Sequence, residues 1–349
     1  MRQILLRVPI PGTDLVLTLY GYGAMMCLGF LAAILTAAHL AKRQKQSPDV
    51  VYNIALLCFF GGIFGARLFY VVQYSGQFPR LWDLVRIWEG GLTFYGGFLL
   101  AVAAVVAYLK ITRRPVLYWL DIVAPGVALG EGLGRIGCFL NGCCYGDVCR
   151  TGLGFAWPVG TIPWYHYAEQ LLGSAAWFDP ARSPASLGMT PAQPAGAAAG
   201  ALMGSLAAAW HAPVIYPAQL LSLANAVLLA VVLYTMWRWK RRHGQVLMTL
   251  MLLYGISRFL LEALRADETP AYLLGLPTLL ETLGFAQAAA RLPGMTISQN
   301  VAVGLVLASL VGLLWLARSR SPRLQAGYVP PAEPTEDSPQ ARRKKRRER

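Results

Sequence analysis

The stretch LTLYGYGAMMCLGFLAAILTAAHL, residues 17–40, is central to the fold of this chain because it contains no Asp, Glu, Lys or Arg. A helix that spans a bilayer needs about 20 predominantly apolar residues, since every backbone amide has to be satisfied within the hydrocarbon layer. Predominantly apolar stretches recur at residues 51–72, 92–109, 118–140, 218–237, 246–264 and 297–316. The sequence therefore predicts an all-α integral membrane protein with seven transmembrane helices.

The overall composition excludes an ordinary cytosolic globular protein. Of the 349 residues, 56% are hydrophobic and 14% are charged, whereas a typical soluble domain is about 25% charged. A formal net charge of +14 would point to nucleic acid in a polar chain. Because the mean hydropathy is +0.46, we expect membrane lipids as surroundings and no nucleic-acid partner.

The basic residues predict how the helices are oriented. Every lysine lies in one of four regions, which follow the first, third, fifth and seventh apolar stretches at residues 42–45, 110–114, 238–242 and 318–349. Positively charged loops stay in the cytoplasm. The alternation therefore predicts an N-terminus outside the cell membrane and a cytoplasmic C-terminus.

The segments between the helices predict the domain organisation. Residues 1–318 are expected to form one membrane domain, with a long outer loop at about 142–216 that folds into a cap on the outer face. Within that loop, residues 191–209 are rich in Ala, Gly and Pro, which is typical of a flexible insert. Residues 319–349 are rich in Pro, Glu and Arg, so we expect a disordered basic tail on the cytoplasmic side.

Three arginines lie within the predicted helices: Arg67, Arg135 and Arg258. Each costs about 2.5–3.5 kcal/mol on membrane-insertion scales. Glu131 precedes Arg135 by four residues and Glu262 follows Arg258 by four, which places each pair on one helix face. One interpretation is internal ion pairing, which explains the charge balance. The other is a cavity for a phosphate, since a guanidinium group can donate two parallel hydrogen bonds to two phosphate oxygens. The residues alone leave both interpretations open.

The segment GRIGCFLNGCCYG, residues 134–146, resembles the signature of the bacterial prolipoprotein diacylglyceryl transferases. Other segments resemble landmarks of the same family in the same order. They are YG at 22–23, GGIFGAR at 61–67, WEGGLTFYGG at 88–97, YPAQL at 216–220, and YGISR at 254–258 with Glu262 and Arg265. The resemblance covers roughly residues 14–318.

This resemblance implies an enzyme of lipoprotein biosynthesis in the bacterial inner membrane. Members of the family transfer the diacylglyceryl group from phosphatidylglycerol to the lipobox cysteine of a prolipoprotein signal peptide, and glycerol phosphate is released. No metal or organic cofactor is implied.

The same resemblance assigns roles to individual residues of this sequence. It implies catalytic roles for Arg258, Tyr95 and Tyr22; phosphatidylglycerol binding by Arg135, Asn141, Gly146 and Arg67; and supporting roles for Glu131, Glu262 and Arg265. Tyr95 stands where many family members carry a histidine. A tyrosine has an unperturbed pKa of about 10, so the identity of the general base is open.

Cysteines also depart from the family pattern. Cys138 stands where the family often has an asparagine, and Cys143 where it often has an acidic residue; with Cys144 and Cys149 they form a cluster. Adjacent cysteines are awkward tetrahedral ligands and an outer face is oxidising, so disulfides or packing are favoured over a metal site. The cluster leaves two alternative functions open: a membrane thiol-redox protein, or a family paralogue with a different acceptor. Buried arginines would also suit an anion transporter, although no internal repeat supports one.

Overall fold

The computed structural model describes residues 4–9, 16–75, 90–149, 152–158, 161–164, 166–167, 214–265 and 295–318. These residues contain seven helices that are long and apolar enough to cross a membrane, which confirms the predicted number. The helices are α1 (Gly21–Arg43), α2 (Asp49–Gln73), α3 (Phe94–Ile111), α4 (Val116–Asn141), α5 (Ala218–Trp239), α6 (Gln245–Glu262) and α7 (Ile297–Arg318). The chain is therefore a mostly helical, multi-pass membrane protein.

The first helix begins later than its apolar stretch. Residues Val16–Tyr20 form strand β2, which pairs antiparallel with strand β1 at Ile4–Pro9. The prediction of a helix from residue 17 was wrong here, because the sequence VLTLY has strand-forming side chains that the hydropathy pattern alone does not distinguish from a helix. Helix α1 starts at Gly21, directly after this hairpin.

The helices pack mainly in pairs: α1 on α4, α2 on α3, α4 on α5, and α6 on α7. Small residues allow the backbones to approach closely. A Cβ on Gly29 of α1 would lie 2.7 Å from the carbonyl oxygen of Gly130 in α4. A Cβ on Gly65 of α2 would lie 2.5 Å from the carbonyl oxygen of Gly96 in α3. Large apolar side chains such as Phe60, 64% exposed, face outward, as expected for a surface in contact with lipid.

The turns that follow α1, α3 and α5 lie at the same end of the bundle. Leu40, Val50, Tyr118 and Val246 belong to one buried core. Lys240, in the α5–α6 turn, lies 3.2 Å from the carboxylate of Asp121 in α4. We call this end, formed by the three turns and the last turn of α7, the basic end.

The buried Asp121 carboxylate binds the α5–α6 turn to α4 near the basic end. It accepts hydrogen bonds from the backbone amides of Gly244 at 2.8 Å and Leu247 at 3.0 Å. These amides belong to the start of α6, where backbone donors lack a partner within the helix. The side chain of Arg242 donates to the carbonyl of Leu316, which joins the end of α7 to the same region.

A smaller core lies beyond the other end of α4. Strands β3 (Phe155–Ala156) and β4 (Val214–Ile215) pair antiparallel. Trp157 and Ile215 are buried there together with Tyr145 and Tyr167. Of the predicted cap at 142–216, residues 168–213 lie outside the described residues. The predicted insert at 191–209 and the predicted tail at 319–349 lie outside them as well.

Candidate active site

Most of the predicted site residues lie at the end of the bundle opposite the basic end. Tyr22 is in the first turn of α1 and Tyr95 in the first turn of α3. Arg135 lies in the last two turns of α4, and Arg258 and Glu262 in the last two turns of α6. The N-termini of α1 and α3 and the C-termini of α4 and α6 thus lie at the same end of the bundle.

Arg135 forms an ion pair within its own helix. Its Nη2 atom lies 3.1 Å from Oε1 of Glu131, and the two side chains are 15% and 25% exposed. The four-residue spacing predicted this pair. Because the carboxylate holds one side of the guanidinium, the remaining N–H groups keep a fixed direction for an anion.

The second arginine belongs to a larger buried network. Nη1 of Arg258 lies 2.7 Å from Oε2 of Glu262, and the same oxygen lies 3.3 Å from Nη1 of Arg265. The other oxygen of Glu262 accepts a hydrogen bond from Thr296 Oγ1 at 3.3 Å. Nη2 of Arg258 donates to Ser298 Oγ at 2.9 Å. A single carboxylate, 3% exposed, therefore positions two arginines and connects α6 to the start of α7.

Tyr254 lies near both arginine groups. Its phenol interacts electrostatically with Glu131, Arg135, Arg258 and Tyr95. In the sequence Tyr254 is part of a family landmark, and no role was predicted for it. Tyr254 precedes Arg258 by one helical turn, which puts both side chains on one face of α6. This spacing could have predicted that Tyr254 belongs to the site.

Tyr22 and Asn141 lie next to the cysteines. The Tyr22 phenol interacts electrostatically with Arg135, Cys138 and Cys144. The side chain of Asn141 hydrogen-bonds the thiol of Cys143. The start of α1 thus places Tyr22 near Arg135, and the end of α4 places Asn141 beside Cys143.

Arg67 binds backbone carbonyls at the start of the segment that leads to Tyr95. Its side chain is buried, and Nη1 donates to the carbonyls of Gly90 at 2.6 Å and Gly91 at 3.3 Å. Thr93 adds to this anchor, since its hydroxyl donates to the carbonyl of Ala66 at 3.0 Å. These contacts favour a role for Arg67 in positioning α3, whereas substrate binding by Arg67 stays a prediction.

Gly146 lies where three backbone segments meet. It forms a bridge with Arg265, and its amide donates to the carbonyl of Tyr216 at 3.2 Å. A Cβ at this position would lie 2.5 Å from that carbonyl oxygen and 3.0 Å from the carbonyl oxygen of Leu264. The need for glycine at this position is therefore explained by backbone packing, and a contact with substrate stays a prediction.

All six cysteines lie in the described part of the chain and are free thiols. Of the two interpretations favoured from the sequence, disulfides or packing, the described residues therefore contain no disulfide. The sulfur atoms of Cys138, Cys143 and Cys144 lie within 4.8 Å of one another. Hydrogen bonds from Cys138 and Cys143, together with the charges of Arg265 and Arg135, lower the pKa of the Cys144 thiol despite its burial. We call these three residues the thiol cluster.

Gln219, which the sequence analysis placed only within a motif, supports the thiol cluster. The side chain of Gln219 is 1% exposed, and its Nε2 donates to the carbonyl of Cys143 at 2.9 Å. The start of α5 thus fixes the backbone of the turn that carries Cys143 and Cys144.

Among the described residues, the charged side chains give the site a positive balance. Arg135, Arg258 and Arg265 face two carboxylates, those of Glu131 and Glu262. The surroundings have low dielectric, where a positive charge acts strongly on an anion. The fold and the site thus define a polytopic membrane protein with a partly buried, arginine-rich site at one end of its helix bundle.

Comparisons with known proteins identify the family. A model of the prolipoprotein diacylglyceryl transferase family matches residues 13–315. The chain belongs to this family, and the resemblance noted from its motifs is confirmed.

Individual relatives carry the name phosphatidylglycerol–prolipoprotein diacylglyceryl transferase. One from Rhodopirellula baltica is 37% identical over 187 residues, which are 49% of this chain and 37% of that protein. One from Clostridium tetani is 37% identical over 138 residues, 40% of this chain and 55% of that protein. The chain thus spans about half or less of these two relatives. A relative from Burkholderia orbicola is 27% identical over 325 residues, covering 87% of this chain and 92% of that protein.

Proposed function

We propose that this protein transfers the diacylglyceryl group of phosphatidylglycerol to the lipobox cysteine of a prolipoprotein, the first step of lipoprotein maturation. The observation that carries the proposal is the position of Arg135 and Arg258 at the same end of the bundle, each paired with a glutamate one turn away on its own helix. The family to which the chain belongs supports the same reaction.

The reaction requires three things of the site. It has to hold a phosphodiester, stabilise the glycerol phosphate that leaves, and accept the proton of the attacking thiol. Guanidinium groups match phosphate oxygens in geometry and charge. We assign binding of the phosphatidylglycerol headgroup to Arg135, and stabilisation of the leaving phosphate to Arg258.

The remaining residues act around these two arginines. Glu131 and Glu262 position the guanidinium groups, and Arg265 adds positive charge through its contact with Glu262. Tyr22 and Asn141 are proposed as polar contacts of the headgroup beside Arg135. Tyr254 interacts electrostatically with Arg135, Arg258 and Tyr95, and we propose that the hydroxyls of Tyr95 and Tyr254 donate to a phosphate oxygen.

The orientation in the membrane follows from the position of the basic residues. Lys42, Lys110 and Lys240 lie in or next to the turns of the basic end, which the positive-inside rule places in the cytoplasm. The site at the opposite end then faces outward, at the level of the outer headgroups. This orientation supports an N-terminus outside, a cytoplasmic C-terminus and a location in the bacterial inner membrane. Residues 1–318 then form the membrane domain, and its loop at about 142–216 caps the site from the periplasm.

Purified full-length protein in phosphatidylglycerol-containing detergent micelles provides the test. A lipobox peptide should gain the mass of a diacylglyceryl group while glycerol phosphate is released. Arg135→Gln should lower kcat/KM by about 10- to 100-fold, because it removes charge-assisted hydrogen bonds to the phosphate of the headgroup. Arg43→Gln is the matched control, because Arg43 is an exposed arginine at the basic end. An inactive wild type, or an Arg135→Gln variant with the wild-type rate, would overturn the proposal.

The thiol cluster favours a second candidate function, thiol–disulfide exchange in the membrane. A redox protein would reduce or oxidise a dithiol without phosphatidylglycerol, whereas a transferase needs the lipid and adds its mass to the peptide. A family paralogue with another acceptor would leave the lipobox peptide unmodified, and it would release glycerol phosphate only when its own acceptor is added to take the diacylglyceryl group.

A further inference from the structure

The thiol cluster lies inside the candidate site, and the roles proposed above for the transferase reaction leave it without a function. We propose that Cys138, Cys143 and Cys144 bind a zinc ion whose fourth ligand is the thiol of the acceptor cysteine. The inference rests on the proposed function, because it explains how this protein deprotonates the acceptor with Tyr95 at the position of the usual histidine.

The turn after α4 brings the three sulfur atoms together. Gly142 has a φ of 81°, and the amides of Gly142 and Cys143 both donate to the carbonyl of Cys138, at 2.9 and 3.2 Å. Cys144 also has a positive φ, of 58°. The side chains of two adjacent residues point to opposite sides of an extended backbone. The adjacency of Cys143 and Cys144 in the sequence therefore argued against a metal site. The left-handed conformation at Gly142 and Cys144 folds both cysteines back toward Cys138.

The distances suit a zinc ion. A Zn–S bond of about 2.3 Å in tetrahedral geometry places sulfur atoms about 3.8 Å apart. In the structure all three sulfurs lie within 4.8 Å of one another, so contraction by about 1 Å closes the site around the ion. Three protein ligands with an open fourth position are the arrangement of catalytic zinc, whereas structural zinc has four.

The surrounding charges and hydrogen bonds also suit a thiolate-bound zinc. Three thiolates and one divalent cation leave one negative charge, and two arginines lie close by: Arg135 precedes Cys138 by three residues on α4, and Arg265 forms a backbone bridge with Gly146, two residues after Cys144. Gln219 holds the carbonyl of Cys143 at 2.9 Å, which restrains the loop that carries two ligands. Thiolates are soft ligands that select zinc over magnesium or calcium.

Zinc supplies the activation that the reaction requires. A thiol that coordinates zinc is deprotonated outright, and its proton passes to solvent. The resulting thiolate attacks the glycerol carbon of the diacylglyceryl group, forms the C–S bond and breaks the C–O bond. The electron pair of that bond stays on the phosphate oxygen, and glycerol phosphate leaves as a dianion. The neutral thioether is a weaker ligand than the thiolate, so the product dissociates.

Metal content is the first measurement. Full-length protein purified under reducing conditions with added zinc should hold about one zinc ion per chain by mass spectrometry of the metal. Cys143→Ser and Cys144→Ser should lose the zinc. Cys149→Ser is the matched control, because Cys149 lies in the same segment and outside the cluster. Thermal unfolding of each variant separates loss of a ligand from loss of the fold.

The fourth ligand is tested with cobalt in place of zinc. The cobalt protein should show thiolate-to-metal charge-transfer absorption, and this absorption should grow when a lipobox peptide is added. A peptide with serine in place of its cysteine should leave the spectrum unchanged. An unchanged spectrum with the cysteine peptide would overturn the assignment of the fourth ligand.

The rate and its pH dependence test the role of the metal. Chelation of zinc, or Cys144→Ser, should lower kcat by about 10²-fold at pH 7, comparable to the loss of a general base. The loss should shrink at pH 9, where a free peptide thiol with a pKa of about 8.5 ionises by itself. Loss of structure alone would not produce recovery at high pH.

Failure of this inference is distinguishable from failure of the proposed function. Zinc-free protein with three reduced thiols and full transfer activity would overturn the zinc site and leave the transferase function standing. A disulfide between two of the three cysteines in the active protein would do the same. Zinc-loaded, folded protein that modifies no lipobox peptide would overturn the transferase function itself.

Discussion

Oε2 of Glu262 lies 2.7 Å from Nη1 of Arg258 and 3.3 Å from Nη1 of Arg265, so one carboxylate oxygen holds two arginines. The pair Arg258–Glu262 spans one turn of α6. Both partners are largely buried, with side chains 14% and 1% exposed, so the surroundings screen their attraction only weakly. The geometry of the positive side of the candidate site therefore depends on Glu262.

Replacement of this carboxylate should disturb the reaction more than the binding of lipid. We expect Glu262→Gln to lower kcat by about 10²-fold, because a small displacement of a catalytic group has an effect of that size. Steady-state kinetics of glycerol phosphate release measures kcat and KM separately. Ser298→Ala, which removes one hydrogen bond to Arg258, should have a smaller effect. A wild-type kcat in Glu262→Gln would show that the arginines keep their positions without it.

Gly146 should be required for packing. In Gly146→Ala the new Cβ would meet the backbone carbonyls of Tyr216 and Leu264, and overpacking of this kind costs about 1–3 kcal/mol. We expect a lower thermal unfolding temperature in detergent. Gly304→Ala is the control, because a Cβ on Gly304 meets nothing within 4 Å. Equal unfolding temperatures for both variants would contradict the packing role and favour a contact with substrate.

The buried pair at the basic end should contribute to stability. Asp121→Asn leaves the ammonium group of Lys240 without its counter-charge, and breaking a buried pair in this way costs about 3–5 kcal/mol. The double variant Asp121→Asn/Lys240→Met should recover part of the loss, because no unpaired charge remains. Denaturant unfolding in detergent measures both. If the double variant is less stable than the single one, the ion pair is not the source of the effect.

Acidification should destabilise the turn between α5 and α6. Burial, followed by the charge of Lys240, lowers the pKa of His243 to about 4, compared with about 6.5 in the unfolded chain. Between these two values the unfolded state binds more protons, so the contribution to stability is full above pH 6.5 and is lost as the pH falls toward 4.

His243→Phe should reduce this pH dependence while it keeps the ring contact with Tyr118, whose centroid lies 5.0 Å from that of His243. Unfolding temperatures at pH 7 and pH 5 measure the effect. His39→Gln serves as control, because His39 is exposed on α1. If the unfolding temperature of His243→Phe depends on pH as strongly as that of the wild type, other titratable groups cause the pH dependence.

The sequence predicted the parts of the site that lie within one helix. A spacing of four residues puts Glu131 beside Arg135 and Glu262 beside Arg258, because an α-helix returns to the same face after about 3.6 residues. The structure has both pairs. Contacts between segments were not predictable in this way. No Asp or Glu lies three or four residues from Arg67 in the sequence, and its Nη1 donates to carbonyls of the segment before α3.

The seven helices and the family were predictable from the sequence, because hydrophobic length and local motifs are properties of contiguous residues. The folded chain was needed to show that Val16–Tyr20 pairs as a strand, that Arg67 binds the carbonyl of Gly90, and that three sulfur atoms converge. Each of these depends on a distant partner or on a positive φ at the end of a helix. Hydropathy and spacing do not encode such relationships, because they follow from which helix ends meet once the bundle has packed.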